Sequence, residues 1–304
     1  MAIGAADRAA LAAIDARLKT VLPEQYQASY EAMQPVAMGS AGLRYDADGR
    51  VAWDEIWGSF CDLAMAGGPP HKGRLLEPAS PADIAADRGA YDRVVEEICR
   101  GVTLASDLPA VDAGDPGWIR VSCYSEVMAA WLLRAIVMEN VAVRARDRAL
   151  FLPAGPAFRL AREIKNVVTV IAKTSHYYMG HMPRAQQRAI AALFTALAVE
   201  APLIEPAVAK AGGDADARQA LSARIHALTG LAAAPAEYAG WLGVMCPDVP
   251  VAVWMMRALV VSNVLARREE TTVFVPINPA ADPHGERVAQ VLAQVHRLAM
   301  IRWG

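Results

Sequence analysis

The chain has 304 residues, 55% of them apolar and 20% charged, a balance that suits a compact globular protein and excludes a disordered one. With 30 basic residues against 32 acidic ones the net charge is −2, which removes any general attraction to nucleic acid or an anionic membrane, so an anion site has to be built locally. Cysteines at 61, 99, 123 and 246 show no CxxC spacing, and so suggest neither a zinc ribbon nor a disulfide framework.

The Ala-rich start predicts a helix over 5–21, with Ala10, Leu11, Ile14, Leu18 and Leu22 forming one stripe and Pro23 ending it. It lacks the basic, greasy and cleavable order of a signal peptide. The most apolar window, 127–143, is broken by Arg134 and Glu139 and falls short of the roughly 20 residues a membrane span needs. The expectation is a cytoplasmic protein with no membrane partner. A short helix over 24–33 comes next, then a hairpin over 39–53 around the Asp48-Gly49 turn. Residues 1–53 thus read as an N-terminal arm.

From residue 54 the chain reads as a tandem duplication. Residues 117–153 align without a gap on 240–276, at a constant shift of 123, with fourteen identities in 37 positions. The matches include Gly117/Gly240, Trp118/Trp241, Cys123/Cys246, Trp131/Trp254, Arg134/Arg257, Asn140/Asn263, Arg144/Arg267, Phe151/Phe274 and Pro153/Pro276. Upstream, Phe60 to Met65 resembles Phe194 to Val199, and Leu75-Leu-Glu-Pro78 resembles Leu203-Ile-Glu-Pro206. Within each unit the pattern gives a helix, a second helix (90–104 and 216–229), a strand, a helix, a hairpin and a closing helix. In the first unit these are a strand over 118–123, a helix capped by Ser125 and running to Glu139, strands over 141–145 and 149–152, and a long helix over 157–179. The second unit closes with a helix over 286–301. This predicts an α+β fold of two ααβαββα units, 54–181 and 182–304, with two small antiparallel sheets or one joined sheet covered by helices.

Residues kept in both copies are expected to serve the fold. Trp131 and Trp254 fall on an apolar helix face, and Asn140 and Asn263 stand where each helix ends, a place where Asn tolerates left-handed backbone. Cys123 and Cys246 precede a helix N-terminus, a setting that can favour a reactive thiolate; buried, inert thiols are the competing reading.

The features found in one half only are the functional candidates. The loop Gly67-Gly-Pro-Pro-His-Lys-Gly73 lies in a six-residue excess of the first half and presents His71 and Lys72. On the long helix, Lys165, Thr169, Lys173 and His176 form a polar stripe at spacings of four, four and three, replaced by Glu286, Gln290, Gln294 and Arg297 in the second half. A stripe of this kind suits a carboxylate or phosphate, or is simply a solvated face. Glu139, which is Ser262 in the other copy, completes a candidate acid/base set with His71 and His176. Lys72, Lys165, Lys173, Arg144, Arg267 and Tyr177 are the expected substrate-binding groups. His71, His176 and His181 offer a weaker three-His site for a divalent metal, and a tetrapyrrole has less support because no attachment motif is present.

GxxxxGK[ST], GxGxxG and nucleophile-elbow patterns are absent, which argues against common NTPases, Rossmann dehydrogenases and ordinary esterases. The leading expectation is a small-molecule enzyme of lyase, isomerase or hydrolase type acting on an anionic substrate, with one site in the first unit or between the units. The rival is a non-catalytic, pseudo-symmetric ligand-binding or assembly protein, forming a homodimer.

Overall fold

The computed structural model describes residues 4–27, 42–56, 73–207, 215–236 and 238–303. In chain order the helices and strands are α1 (Ala5–Val21), α2 (Glu24–Gln27), α3 (Pro81–Ala86), α4 (Arg88–Ser106), β1 (Ala110–Asp112), β2 (Trp118–Ser122), α5 (Glu126–Val137), β3 (Arg144–Arg146) and β4 (Ala149–Pro153). A π-helical turn, Leu160–Ile164, then leads into α6 (Lys165–Gly180). After it come α7 (Arg184–Glu200), α8 (Ala215–Thr229), β5 (Trp241–Met245), α9 (Val249–Val260), β6 (Arg267–Glu269), β7 (Thr272–Pro276) and α10 (Glu286–Trp303). The protein is thus a mixture of helix and strand with two separate small antiparallel sheets, ordered β1-β2-β4-β3 and β5-β7-β6. None of its described helices is long and apolar enough to cross a membrane.

The described residues divide into two compact units, 23–187 and 1–22 with 188–304. In the first, the hairpin expected around Asp48-Gly49 is present as a tight turn with one bridge, Tyr45 to Val51, because the Asp46 side chain accepts from the amides of Asp48 and Arg50 and Gly49 adopts a φ of 75°. Trp53 beneath it is fully buried, and its Nε1 donates to Glu97 of α4 at 2.8 Å. Arg100 donates to the same carboxylate and to the Val51 carbonyl, which fastens the turn to α4. Ser80 and Asp87 cap α3 and α4 through their side chains. Helix α6 packs against α4 and α5.

In the second unit α10 packs on α8 and α9, and α1 lies against α9 and α10. Arg302 reaches Asp15 at 3.2 Å, Arg297 pairs with Asp7, and Arg17 meets Glu200 at 3.3 Å. Helix α1 therefore belongs to this unit, whereas the 42–56 hairpin belongs to the other.

Strands β2, β4 and β3 of the first sheet and β5, β7 and β6 of the second pair in the same register. Trp118 pairs with Pro153 and Arg144 with Phe151; Trp241 pairs with Pro276 and Arg267 with Phe274. Val141 forms a parallel bridge to Leu76 and Val264 to Ile204, so the strand expected over 141–145 starts later, at Arg144. Gly117 and Gly240 take φ of 87° and 71°, and a Cβ on either would stand 2.8 Å from a carbonyl oxygen, that of Ala79 or Ala207.

Asn140 and Asn263 close the central helices at φ 58° and 59°. Each side-chain amide donates at 3.0 Å across the corner, to the carbonyl of Gly73 or of Ala201. Replacing Asn140 by Ala combines the left-handed strain of a Cβ residue, about 1–2 kcal/mol, with the loss of one hydrogen bond, about 1 kcal/mol. Asn140→Gly forfeits the bond alone. Urea denaturation is expected to rank the proteins wild type, Gly, Ala, with the same order at position 263; an Ala variant as stable as wild type would contradict this role.

Candidate functional site

Helix α6 carries the polar stripe, and the structure corrects the idea that it is solvated. Lys165, Thr169 and Lys173 are 9%, 3% and 4% exposed. Lys173 Nζ lies 2.5 Å from Oε1 of Glu139, which stands just past the end of α5 and is 3% exposed. Burial pushes the Lys173 ammonium toward easier proton loss, and the carboxylate opposes that. Lys165 is shifted the same way by burial. The pair fixes α6 on α5. Glu139 and Lys173, expected as a base and an anion ligand, thus meet each other in the interior, where a buried charge needs its partner, and Lys165 is buried on the same helix.

The two arginines expected to bind substrate also have partners within the fold. Arg144 stacks 3.9 Å from the centre of the Trp118 ring and meets Asp115 at 3.2 Å. Arg267, 0% exposed, sits among Phe274, Tyr238 and Trp241 at 3.9, 4.2 and 5.4 Å, with Glu269 at 2.7 Å. Each holds its hairpin against the neighbouring strand.

An open cleft of about 640 Å³ lies instead where α6 ends, at the N-terminus of α5 and the first turn of α7. Gly180 is the last residue of α6, and the His181 amide closes the turn by donating to Tyr177 O. This break folds His181 back so that its Nε2 lies 3.0 Å from Nε2 of His176, five residues earlier, with the rings edge to face at 79°. A side chain at 180 would crowd the His176 ring, since a Cβ there stands 3.3 Å from Cε1. Burial, and then the like charge of His181, lower the proton affinity of His176. A neutral His176 is thus favoured, and one ring donates Nε2–H to the other. The buried Tyr177 ring stands edge-on to His181 at 6.0 Å.

Tyr178 forms another wall. Its ring rests on Trp131, and its hydroxyl hydrogen-bonds with Ser125, whose Oγ also accepts from the Met128 amide at 3.1 Å to cap α5. Gln187 braces the turn, its Nε2 donating to Tyr178 O at 3.1 Å and Met182 O at 2.9 Å. His181, Arg184 and Gln187 line the cleft beside Tyr124, Ser125, Tyr178 and three methionines, Met128, Met179 and Met182.

Of the residues expected from sequence, the structure brings together His176, His181 and Tyr177. His71 and Lys72 lie outside the described residues. No group of three metal-ligating side chains occurs among the described residues. Cys123 and Cys246 are buried and their thiols are pushed up to about 12 by burial, so the nucleophilic thiolate is disfavoured despite the helix that follows. Arg184, Gln187, Ser125 and Tyr178 did not stand out as site residues in the sequence; the Gly180-to-Pro183 break was the signal that a turn would gather them. No protein-family model, curated protein or solved structure matches the chain.

Because Lys173 and Glu139 are buried together, removing one partner strands the other charge. Lys173→Met is expected to cost about 3–5 kcal/mol in denaturant unfolding. Lys173→Met with Glu139→Gln should recover more than half of that loss, since no charge is then left behind.

Proposed function

We propose that the cleft at the end of α6 is a small-molecule active site in which His176 and His181 transfer a proton to or from an anionic substrate held by Arg184. The observation that carries this reading is the Nε2-to-Nε2 distance of 3.0 Å between a histidine that lines the cleft and one set behind it. In this arrangement His181 meets the substrate and His176 accepts or returns the proton through the shared hydrogen bond. The lowered proton affinity of His176 supports the role, because a neutral ring can act as a base near pH 7. The reaction class is proton transfer of a lyase, isomerase or hydrolase kind.

We also infer that the chain is a tandem duplication whose first half alone retains this cleft. The support is the match of strand registers at a constant shift of 123, together with the changed residues. Pro247, Asp248 and Val251 replace Tyr124, Ser125 and Met128, while Arg297, Leu298 and Ala299 stand for His176, Tyr177 and Tyr178. Asp248 keeps the helix cap by accepting from Val251, so the scaffold's chemistry persists where the cleft's does not.

The test is to incubate the protein in D2O with a panel of small carboxylic acids and phosphate monoesters, following carbon-bound hydrogen and new products by proton NMR. Exchange or turnover on at least one compound is expected, reduced by about 10²–10⁴-fold in His181→Asn, with the melting temperature little changed. A folded wild-type protein that exchanges nothing across the panel would sink the catalytic reading.

The same pair sets a pH dependence. His176 binds its proton less tightly folded than unfolded, so its contribution to stability is complete above the unfolded value of about 6.5 and is lost as pH falls toward the lower folded value. Wild-type melting temperature should therefore drop more steeply below about pH 6.5 than that of His176→Asn. His296, also lowered by burial, contributes equally to both proteins and cancels in the comparison.

A further inference from the structure

Resting on that assignment of the cleft, we infer the class of molecule it takes: an apolar, aryl-sized body bearing one anionic group with a hydrogen-bond donor beside it, of which a hydroxylated aryl carboxylic acid is the simplest form. The cleft volume of about 640 Å³ is in the range of sites that enclose a small organic molecule rather than a bare ion. Its walls are the three thioethers of Met128, Met179 and Met182 and the rings of Tyr124 and Tyr178, a soft lining that accepts an aromatic or branched apolar group. Tyr124 and Met179 are exposed at 62% and 39%, so this apolar surface is open to a ligand.

The polar groups restrict the class further. No Asp or Glu is among the residues lining the cleft, and Arg184 is its one permanently charged member. An arginine in an acid-free lining favours an anion, and its planar fork matches a carboxylate. Gln187 adds a requirement of the opposite kind. Both protons of its amide are committed to the carbonyls of Tyr178 and Met182. What Gln187 can still offer the cleft is its Oε1, an acceptor only. The occupant must then bring a hydroxyl or N–H to that atom, or leave it unsatisfied at a cost. Arg184 and Gln187 are three residues apart on one helix, hence neighbours on one face at about 5–6 Å between their Cβ atoms. That spacing sets the donor close to the anionic group, with His181 along the same wall.

Calorimetric titration of the full chain with 3-phenyllactate, 3-phenylpropanoate and inorganic phosphate tests the class directly. Phenyllactate should bind up to about tenfold more tightly than phenylpropanoate, the worth of one hydrogen bond, and phosphate more weakly than either acid. Arg184→Gln should weaken both acids by about tenfold or more, and Gln187→Met should bring the two acids to equal affinity. Because Gln187 also braces the turn, the comparison of the two acids on the wild-type protein decides the matter even where that variant fails to fold. Equal binding of the two acids by wild type, tighter binding of phosphate, no binding of either acid, or indifference to Arg184→Gln overturns the inference. The deuterium-exchange assay separates this from the catalytic reading: acids that bind selectively but never exchange defeat catalysis and leave the ligand class standing. Exchange confined to compounds that lack the donor does the reverse.

Discussion

The candidate site depends on the ion pair between Lys173 and Glu139. Both groups are almost wholly withdrawn from water, and they meet at 2.5 Å. A lysine in that position would be costly alone, so the carboxylate at the end of α5 effectively dictates which way α6 faces. With that rotation set, His176 follows one turn later, and the break at Gly180 carries His181 back onto it. The pair of imidazoles is thus positioned by a pair of charges that never reaches the cleft.

Under the proposed duplication the same constraint explains a difference between the halves. Where the first half has Glu139 and Lys173, the second has Ser262 and Gln294, and Ser262 turns its hydroxyl to the Ala258 carbonyl of its own helix. A charge on one side without its partner would be the worst of the available states, so both positions being neutral is what electrostatics demands. Elsewhere the two units share backbone connections, because Asn140 and Asn263, or Gly117 and Gly240, meet requirements that are local and conformational. They hold whatever the neighbouring helix does.

This contrast also accounts for what was legible in the residues. Ser125 as a cap, Asn140 as a helix end and 118–123 as a strand, found at 118–122, could be read because each rests on chemistry within a few positions. The stripe on α6 was legible as a stripe, but its environment was not. That helix carries Val167, Val168, Val170, Ile171 and Ala172 as well, all buried, and a helix apolar on several faces is surrounded rather than half-exposed. The surroundings of Arg144 and Arg267 were hidden for a related reason: their partners are aromatic rings brought beside them by strand pairing, which composition does not disclose. Arg184 and Gln187 acquire meaning only once the chain has turned at 181–183.

The π-helical turn at Leu160–Ile164 adds a wider consequence. Such a turn holds a residue more than an α-helical turn does, and one residue rotates everything after it by about 100°. From Pro153 to Val167 is 14 positions, against 12 from Pro276 to Val288, so under the proposed duplication the first half has surplus chain at this point. The turn works as a phase setting for the helix that follows. A single-residue deletion there would leave the composition of α6 untouched and yet swing Lys173 away from Glu139 and His176 away from its partner. On the proposed reading the arrangement of the site therefore depends on backbone that precedes α6, and insertions or deletions there, more than substitutions, are the changes that would alter it.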